Sequence, residues 1–238
     1  MPSRNAGVKL KEHAHSIVIL GMTTDRKIEL MDLIRIPKST GIEHIEEDLN
    51  LVVRELNKYE PDIICPDLGY AGSYDDKLIA YYGLGRVYGV KVRSAESNGD
   101  FNAHFSESDS TVTIDKLTQN LIMMSNMKRG DIRFWRGSQY DARINEFITH
   151  WSNVVIRTDE KENQQTHLVD YKKIILRKGP DHYAQSSTYA MVGLDKLMKE
   201  DALANRQKTQ IDYLDSTVFS PEQTDIQKEY DITNSIEL

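Results

Sequence analysis

Apolar positions along the chain come first in short, β-branched runs and later at helical spacing. Ser16–Met22 (SIVILGM) is a continuous apolar run of the kind a buried strand needs. A polar turn, Thr23-Thr24-Asp25-Arg26-Lys27, separates it from Ile28–Pro37 (IELMDLIRIP), an imperfect alternation that predicts the second arm of a hairpin. Ala6–Leu10 precedes both and predicts the first strand of a three-stranded meander. Ile42, Ile45, Leu49, Val52, Val53 and Leu56 then recur at spacings of three and four. They predict an amphipathic helix that starts at Ser39-Thr40-Gly41 and stops before Pro61.

Asp62–Cys65 (DIIC) reads as a short buried strand ending in Pro66-Asp67-Leu68-Gly69. A helix over Tyr74–Tyr82 and a strand over Val87–Val92 follow. Ser94 to Ser110 is polar without period and predicts a loop. Val112 to Met127 has helical spacing, and Arg129-Gly130-Asp131 turns into a strand at Ile132–Trp135. A helix is expected at Ala142–Trp151. Val154–Thr158 and His167–Leu176 read as an antiparallel pair around a polar loop, Asp159–Thr166. Gly179-Pro180-Asp181 opens a last helix through Lys199. Beyond it, Asn205–Leu238 has few large apolar residues and predicts a flexible tail. There is no internal repeat. A meander followed by alternating helices and strands is an α/β pattern. Open sheets of that kind gather ligands beyond the carboxyl ends of their strands.

Composition narrows the function. The 238 residues are 39% hydrophobic and 28% charged, which is globular. No apolar run is long enough for a membrane helix, and the first residues lack the apolar stretch of a secretory signal. One cysteine, Cys65, excludes an internal disulfide framework and a Cys-rich zinc site, and points to a reducing cytosol. The net charge of −7 means that any nucleic acid must be met by a local basic patch. Neither a Walker-type phosphate loop nor a G-x-S-x-G elbow is present.

Two acids stand where chemistry is expected. Asp67 follows a buried strand and is trailed by Gly69 and Gly72, which leave room for a metal or a phosphate. The competing reading is a turn former or helix cap. Asp181 opens the last helix, a position that capping and the helix dipole favour on their own. Asp75-Asp76 could sit near Asp67, although helix-start acids are common. His182 could ligate a metal; a histidine at a helix start is more often hydrogen-bonded or solvated. The other histidines show no metal-ligand spacing, and the nearest pair, His13 and His15, reads as part of a loop between the first two strands. Two basic clusters could track a phosphate backbone: Lys128, Arg129, Arg133 and Arg136, and Lys172, Lys173, Arg177 and Lys178. Either could equally be a solvated face.

The order of elements resembles an RNase H-like fold, with a central mixed β-sheet flanked by helices. Asp115–Arg136 (DKLTQNLIMMSNMKRGDIRFWR), the hairpin ending in Lys178, and Gly179–Leu197 (GPDHYAQSSTYAMVGLDKL) together resemble the nuclease domain of the large terminase subunit of tailed phages. Within the last segment the resemblance rests on Asp181-His182-Tyr183-Ala184 and Tyr189-Ala190. It covers about residues 6–200, with short and degenerate motifs. It implies a metal-dependent endonuclease domain, over residues 1–204, that cuts concatemeric viral DNA in the host cytoplasm. It implies two divalent ions, Mg²⁺ or Mn²⁺, and double-stranded DNA, a portal and a small terminase subunit as partners. The ATPase of that family is absent from this chain, which reads as an isolated nuclease domain with its tail or a split-gene version. Carried across, Asp67 takes the fourth-strand metal position and Asp181 the last-helix position.

The first-strand position departs. The family reads apolar-Asp-aromatic-Gly, and here Gly7-Val8-Lys9-Leu10 puts Lys9 where the bridging carboxylate belongs. A cation there repels metal ions. Three readings stay open: another acid such as Glu12 stands in, the nuclease is naturally impaired or altered, or the residue was changed. On the second, the chain becomes an inactive RNase H-like module that binds DNA or docks to the packaging machinery. A resolvase- or transposase-like nuclease of the same fold is the third alternative for function.

Overall fold

The computed structural model describes residues 4–11, 14–38, 45–68, 72–93, 102–162 and 169–218. The chain divides into two compact units, Met1–Lys196 and Leu197–Leu238. In the second, 197–218 is helical. The sheets and the candidate site belong to the first.

Three antiparallel strands form the expected meander: β1 (Arg4–Lys11), β2 (Ala14–Met22) and β3 (Ile28–Pro37). The helix α1 (Ile45–Asn57) buries Leu49, Val52, Val53 and Leu56, the face that the spacing predicts. Its expected start at 39–41 lies outside the described residues. The strand β4 (Ile63–Pro66), buried throughout, returns parallel to β1. A strand covered on both faces must be apolar at every position, as this one is. The helix α2 (Gly72–Tyr82) leads to β5 (Gly89–Arg93), which meets β4 through parallel bridges at Ile64–Val87 and Asp67–Val90. The main sheet runs β4-β1-β2-β3-β8, where β8 (Ile132–Phe134) lies parallel to β3. The result is a central mixed sheet flanked by helices.

Local physics corrects several expectations. Thr111–Asp115 is a strand, β7, parallel to β5; the helix α3 (Lys116–Arg129) begins only after it. Thr-Val-Thr-Ile alternates, and the Asp115 carboxylate caps the helix by accepting from the Thr118 N–H at 2.7 Å. The capping acid therefore sits inside what the helical spacing alone treats as one element. The expected loop over 94–110 contains a short strand, β6 (His104–Ser106), antiparallel to β7; residues 94–101 lie outside the described residues. The helix α4 (Ala142–Ser152) is followed by a two-stranded ribbon, β9 (Val154–Glu162) and β10 (Val169–Arg177). Its first strand extends to Glu162, into the segment expected to be a polar loop, because ladder bonding tolerates polar side chains on exposed faces. The last helix, α5 (His182–Val218), continues past the expected end at Lys199. Residues 219–238 of the expected tail lie outside the described residues. His15 is not in a loop: it lies in β2, 1% exposed, with Nε2 3.8 Å from a carboxylate oxygen of the equally buried Asp48. Burial holds its pKa below the ordinary value. His13 lies outside the described residues.

The start of α5 is the hub of the first unit. Every residue from Tyr183 to Leu194 is buried. Small residues let the sheet approach its backbone: a Cβ built on Gly7 of β1 would stand 1.8 Å from the Ser186 carbonyl oxygen and 2.5 Å from the Ala190 nitrogen. The buried hydroxyls are satisfied in place. Ser186 donates to the Ser16 carbonyl at 2.8 Å, and Thr188 donates to Asn120 Oδ1 at 2.9 Å. Among the described residues no helix is long and apolar enough to cross a membrane.

Candidate active site

Asp67 is the first residue beyond β4, buried, with its backbone bridged to Val90. The strand fixes its position: Pro66 pairs with Val8 of β1, and the Leu68 N–H donates to the Val90 carbonyl at 3.3 Å. Asp181 lies between Pro180 and α5 and is 1% exposed. Its carbonyl accepts the first helical bond, from Gln185 N at 3.0 Å. The turn before it is pinned by Asn153, whose side-chain amide donates to the Pro180 carbonyl at 2.8 Å.

Tyr189 of α5, 1% exposed, joins the two acids. The Asp67 carboxylate acts on its phenol. Burial holds its phenol far above the ordinary value; the Asp67 and Asp181 charges add to this and the Arg177 charge opposes it. One buried hydroxyl thus senses both candidate carboxylates. Asp181 Oδ2 also forms an ion pair with Arg177 Nε at 3.0 Å, at the end of β10, and accepts from Gln185 Nε2 at 3.2 Å. Asp181, Gln185 and Tyr189 are spaced i, i+4, i+8, so they line one side of the helix. That spacing was readable in the sequence as D-x-x-x-Q-x-x-x-Y. The role of Arg177 was not, because its partner is set by the end of the ribbon.

Asp75, in the first turn of α2, lies near Asp67 as the sequence suggested. It is 5% exposed, and neither carboxylate oxygen has a hydrogen-bond partner among the described residues. Burial, with the charges of Asp67 and Asp76, pushes it up to about 7. Gly89 makes room for it: a Cβ there would lie 3.1 Å from Asp75 Oδ2 and 2.4 Å from the Leu68 side chain.

Lys9 lies on β1 opposite Ser16, one residue beyond the Val8–Pro66 pair, so the backbone carries it to the level of Asp67. Its side chain, and Gly69, lie outside the described residues. His182 is not in a ligand cluster; its ring meets His150 edge-on with centroids 5.5 Å apart. Of the first basic cluster, Arg129 is paired with Asp131 and Arg133 with Asp25.

Among the described residues no three His, Cys, Asp or Glu side chains cluster as a metal cage. Asp181 is paired with the Arg177 guanidinium. The donors fit a single hard cation better. Asp75 offers two buried, unpartnered oxygens beside Asp67. Mg²⁺ is commonly held by one or two carboxylates together with a substrate phosphate and water.

No family model matches the chain, and no curated protein matches it. Two solved structures are similar in shape. One is the large terminase nuclease domain of bacteriophage SPP1 with bound Mn, at 16% identity, covering 79% of this chain and 84% of that one with a TM-score of 0.36. The other is T. thermophilus RuvC in complex with a Holliday junction substrate, at 9% identity, covering 79% and 91% with a TM-score of 0.30.

Proposed function

We propose that this chain is the endonuclease domain of a viral DNA-packaging terminase, acting on double-stranded DNA through Asp67 and Asp181 and weakened by the Arg177 cation paired with Asp181 and by a lysine, Lys9, at the first-carboxylate position of the sequence. One observation supports it above the rest: acids from the end of β4 and the start of α5 act on the same buried tyrosine. In the resting state Tyr189 orients Asp67, while Gln185 and Arg177 orient Asp181. Asp67 and Asp75 would hold the divalent ion, Mg²⁺ or Mn²⁺. Such an ion lowers the pKa of bound water and stabilises the leaving oxygen of a phosphodiester. Phosphate contacts carry no base information, so little sequence preference is expected. On this reading residues 1–204 form the nuclease domain and 205–238 a tail, with the portal and the small subunit as partners in the host cytoplasm.

Nicking of supercoiled plasmid in Mg²⁺ and in Mn²⁺ tests the assignment. Slow nicking by the parent, abolished in Asp67→Asn and in Asp181→Asn, is expected. Lys9→Asp, which returns a carboxylate to the first strand, is expected to speed nicking at least about tenfold, a gain of about 1.4 kcal/mol in the barrier. Nicking that persists in both Asn variants refutes the assignment. The Arg177–Asp181 ion pair favours one second reading, an inactive DNA-binding or docking module. Its signature is absence of nicking in every variant, Lys9→Asp included, with DNA binding retained.

A further inference from the structure

We propose that one face of the β9–β10 ribbon is the track along which the DNA backbone reaches the pocket, and that Arg177 passes from Asp181 to a phosphate when DNA arrives. The inference rests on the nuclease-pocket reading and names the surface that delivers its substrate.

Strand alternation defines the face. Tyr171, Lys173, Ile175 and Arg177 follow one another at every second position of β10, so they point the same way. Tyr171 is 68% exposed, Lys173 is exposed, and the Arg177 side chain is 45% exposed although it reaches a buried carboxylate. From Tyr171 to Arg177 the strand rises about 20 Å, about six base steps of duplex at ~3.4 Å each. The row ends on Asp181 itself.

Its charge suits a phosphodiester. Lys173 has no ion-pair partner among the described residues, and across the strand it faces Thr158. Glu160, opposite Tyr171, and Glu162, opposite Val169, are the acid positions at the outer end. Arg157 and Asp159 lie on the other face of the ribbon and neutralise each other. In the α3–β8 cluster, by contrast, Arg129 and Arg133 are held by carboxylates. The exposed Tyr171 ring supplies an apolar surface that can pack against sugar or base. Arg177 has two suitable anionic partners in reach of one pose: a carboxylate when the site is empty, and a phosphate, which a planar guanidinium fits equally well, when it is filled.

The test uses the full chain and a labelled random-sequence duplex without divalent ions, with affinity followed against KCl. Each phosphate contact contributes about 0.9 to the log–log salt slope. Lys173→Gln and Arg177→Gln are each expected to lower the slope by about that amount. Tyr171→Ala is expected to weaken binding without changing the slope. Lys128→Gln and Arg136→Gln are the controls and should leave it alone. In addition, Arg177→Gln should tighten Mn²⁺ binding in calorimetry, because the ion is no longer repelled by the Arg177 charge. Lys173 is exposed, so its variant remains informative if Arg177→Gln unfolds. Unchanged slopes in both ribbon variants overturn the proposal, as does a slope that falls only in the controls. Failure of the nuclease reading shows elsewhere, as nicking that ignores Asp67→Asn and Asp181→Asn.

Discussion

Replacing Asp75 by Asn removes a charge that the fold has buried without a partner. The carboxyl is pushed up to about 7 from an ordinary 3.8, first by burial and then by the Asp67 and Asp76 charges. At about 1.4 kcal/mol per pH unit, the gap is worth about 4 kcal/mol. The sign follows from proton linkage. Below about pH 4 both folded and unfolded chains hold the proton, and the ionisation costs nothing. Between about pH 4 and pH 7 the unfolded chain releases it and the folded chain keeps it, so stability falls as pH rises. Above about pH 7 the full penalty is in place. Asn cannot ionise, so urea denaturation of Asp75→Asn and parent, without divalent ions, should coincide near pH 4. By pH 8 the variant should be more stable by up to about 4 kcal/mol. Mn²⁺ should rescue the parent alone, since only the parent keeps both carboxylates. Parallel stability curves for the two proteins from pH 4 to pH 8 refute the reasoning, because they mean that Asp75 is solvated or already paired.

Three further substitutions probe the frame around the site. Gly7→Val drives side-chain atoms into the α5 backbone, which a Cβ alone would meet at 1.8 Å; a loss of about 3 kcal/mol is expected by urea denaturation, and a loss below ~1 kcal/mol contradicts the close contact. Asp115→Ala removes the cap of α3 and should cost about 1 kcal/mol, whereas Asp115→Asn, which still caps, should cost little. Ser187→Ala leaves the Trp151 indole N–H, now 3.2 Å from the hydroxyl, without its acceptor; a loss of about 1–3 kcal/mol is expected, and an unchanged denaturation midpoint argues against the bond.

Much of the architecture was legible along the chain. The runs at Ser16–Met22 and Ile28–Pro37 had to become neighbouring strands, because a short polar turn joins two segments that must bury apolar faces. The i, i+3, i+4 spacing of Leu49, Val52, Val53 and Leu56 fixed a helix face in the same way. Val112 and Ile114 misled because alternation over four residues also fits the edge of a helical period. Asp67 and Asp181 stood out by position, one after a buried strand and one before a helix rich in small residues.

What the sequence determined by itself was therefore most of the elements and their apolar faces, since those depend on neighbours a few positions apart. Only the tertiary structure decided which charges meet. Arg177 reaches Asp181 because the ribbon ends there, Tyr189 reaches Asp67 because Gly7 lets α5 lie against β1, and Asp75 is buried because Gly89 leaves it space. Coulomb and hydrogen-bond energies depend on separation in space and on burial, and neither quantity is written in the order of residues along a chain.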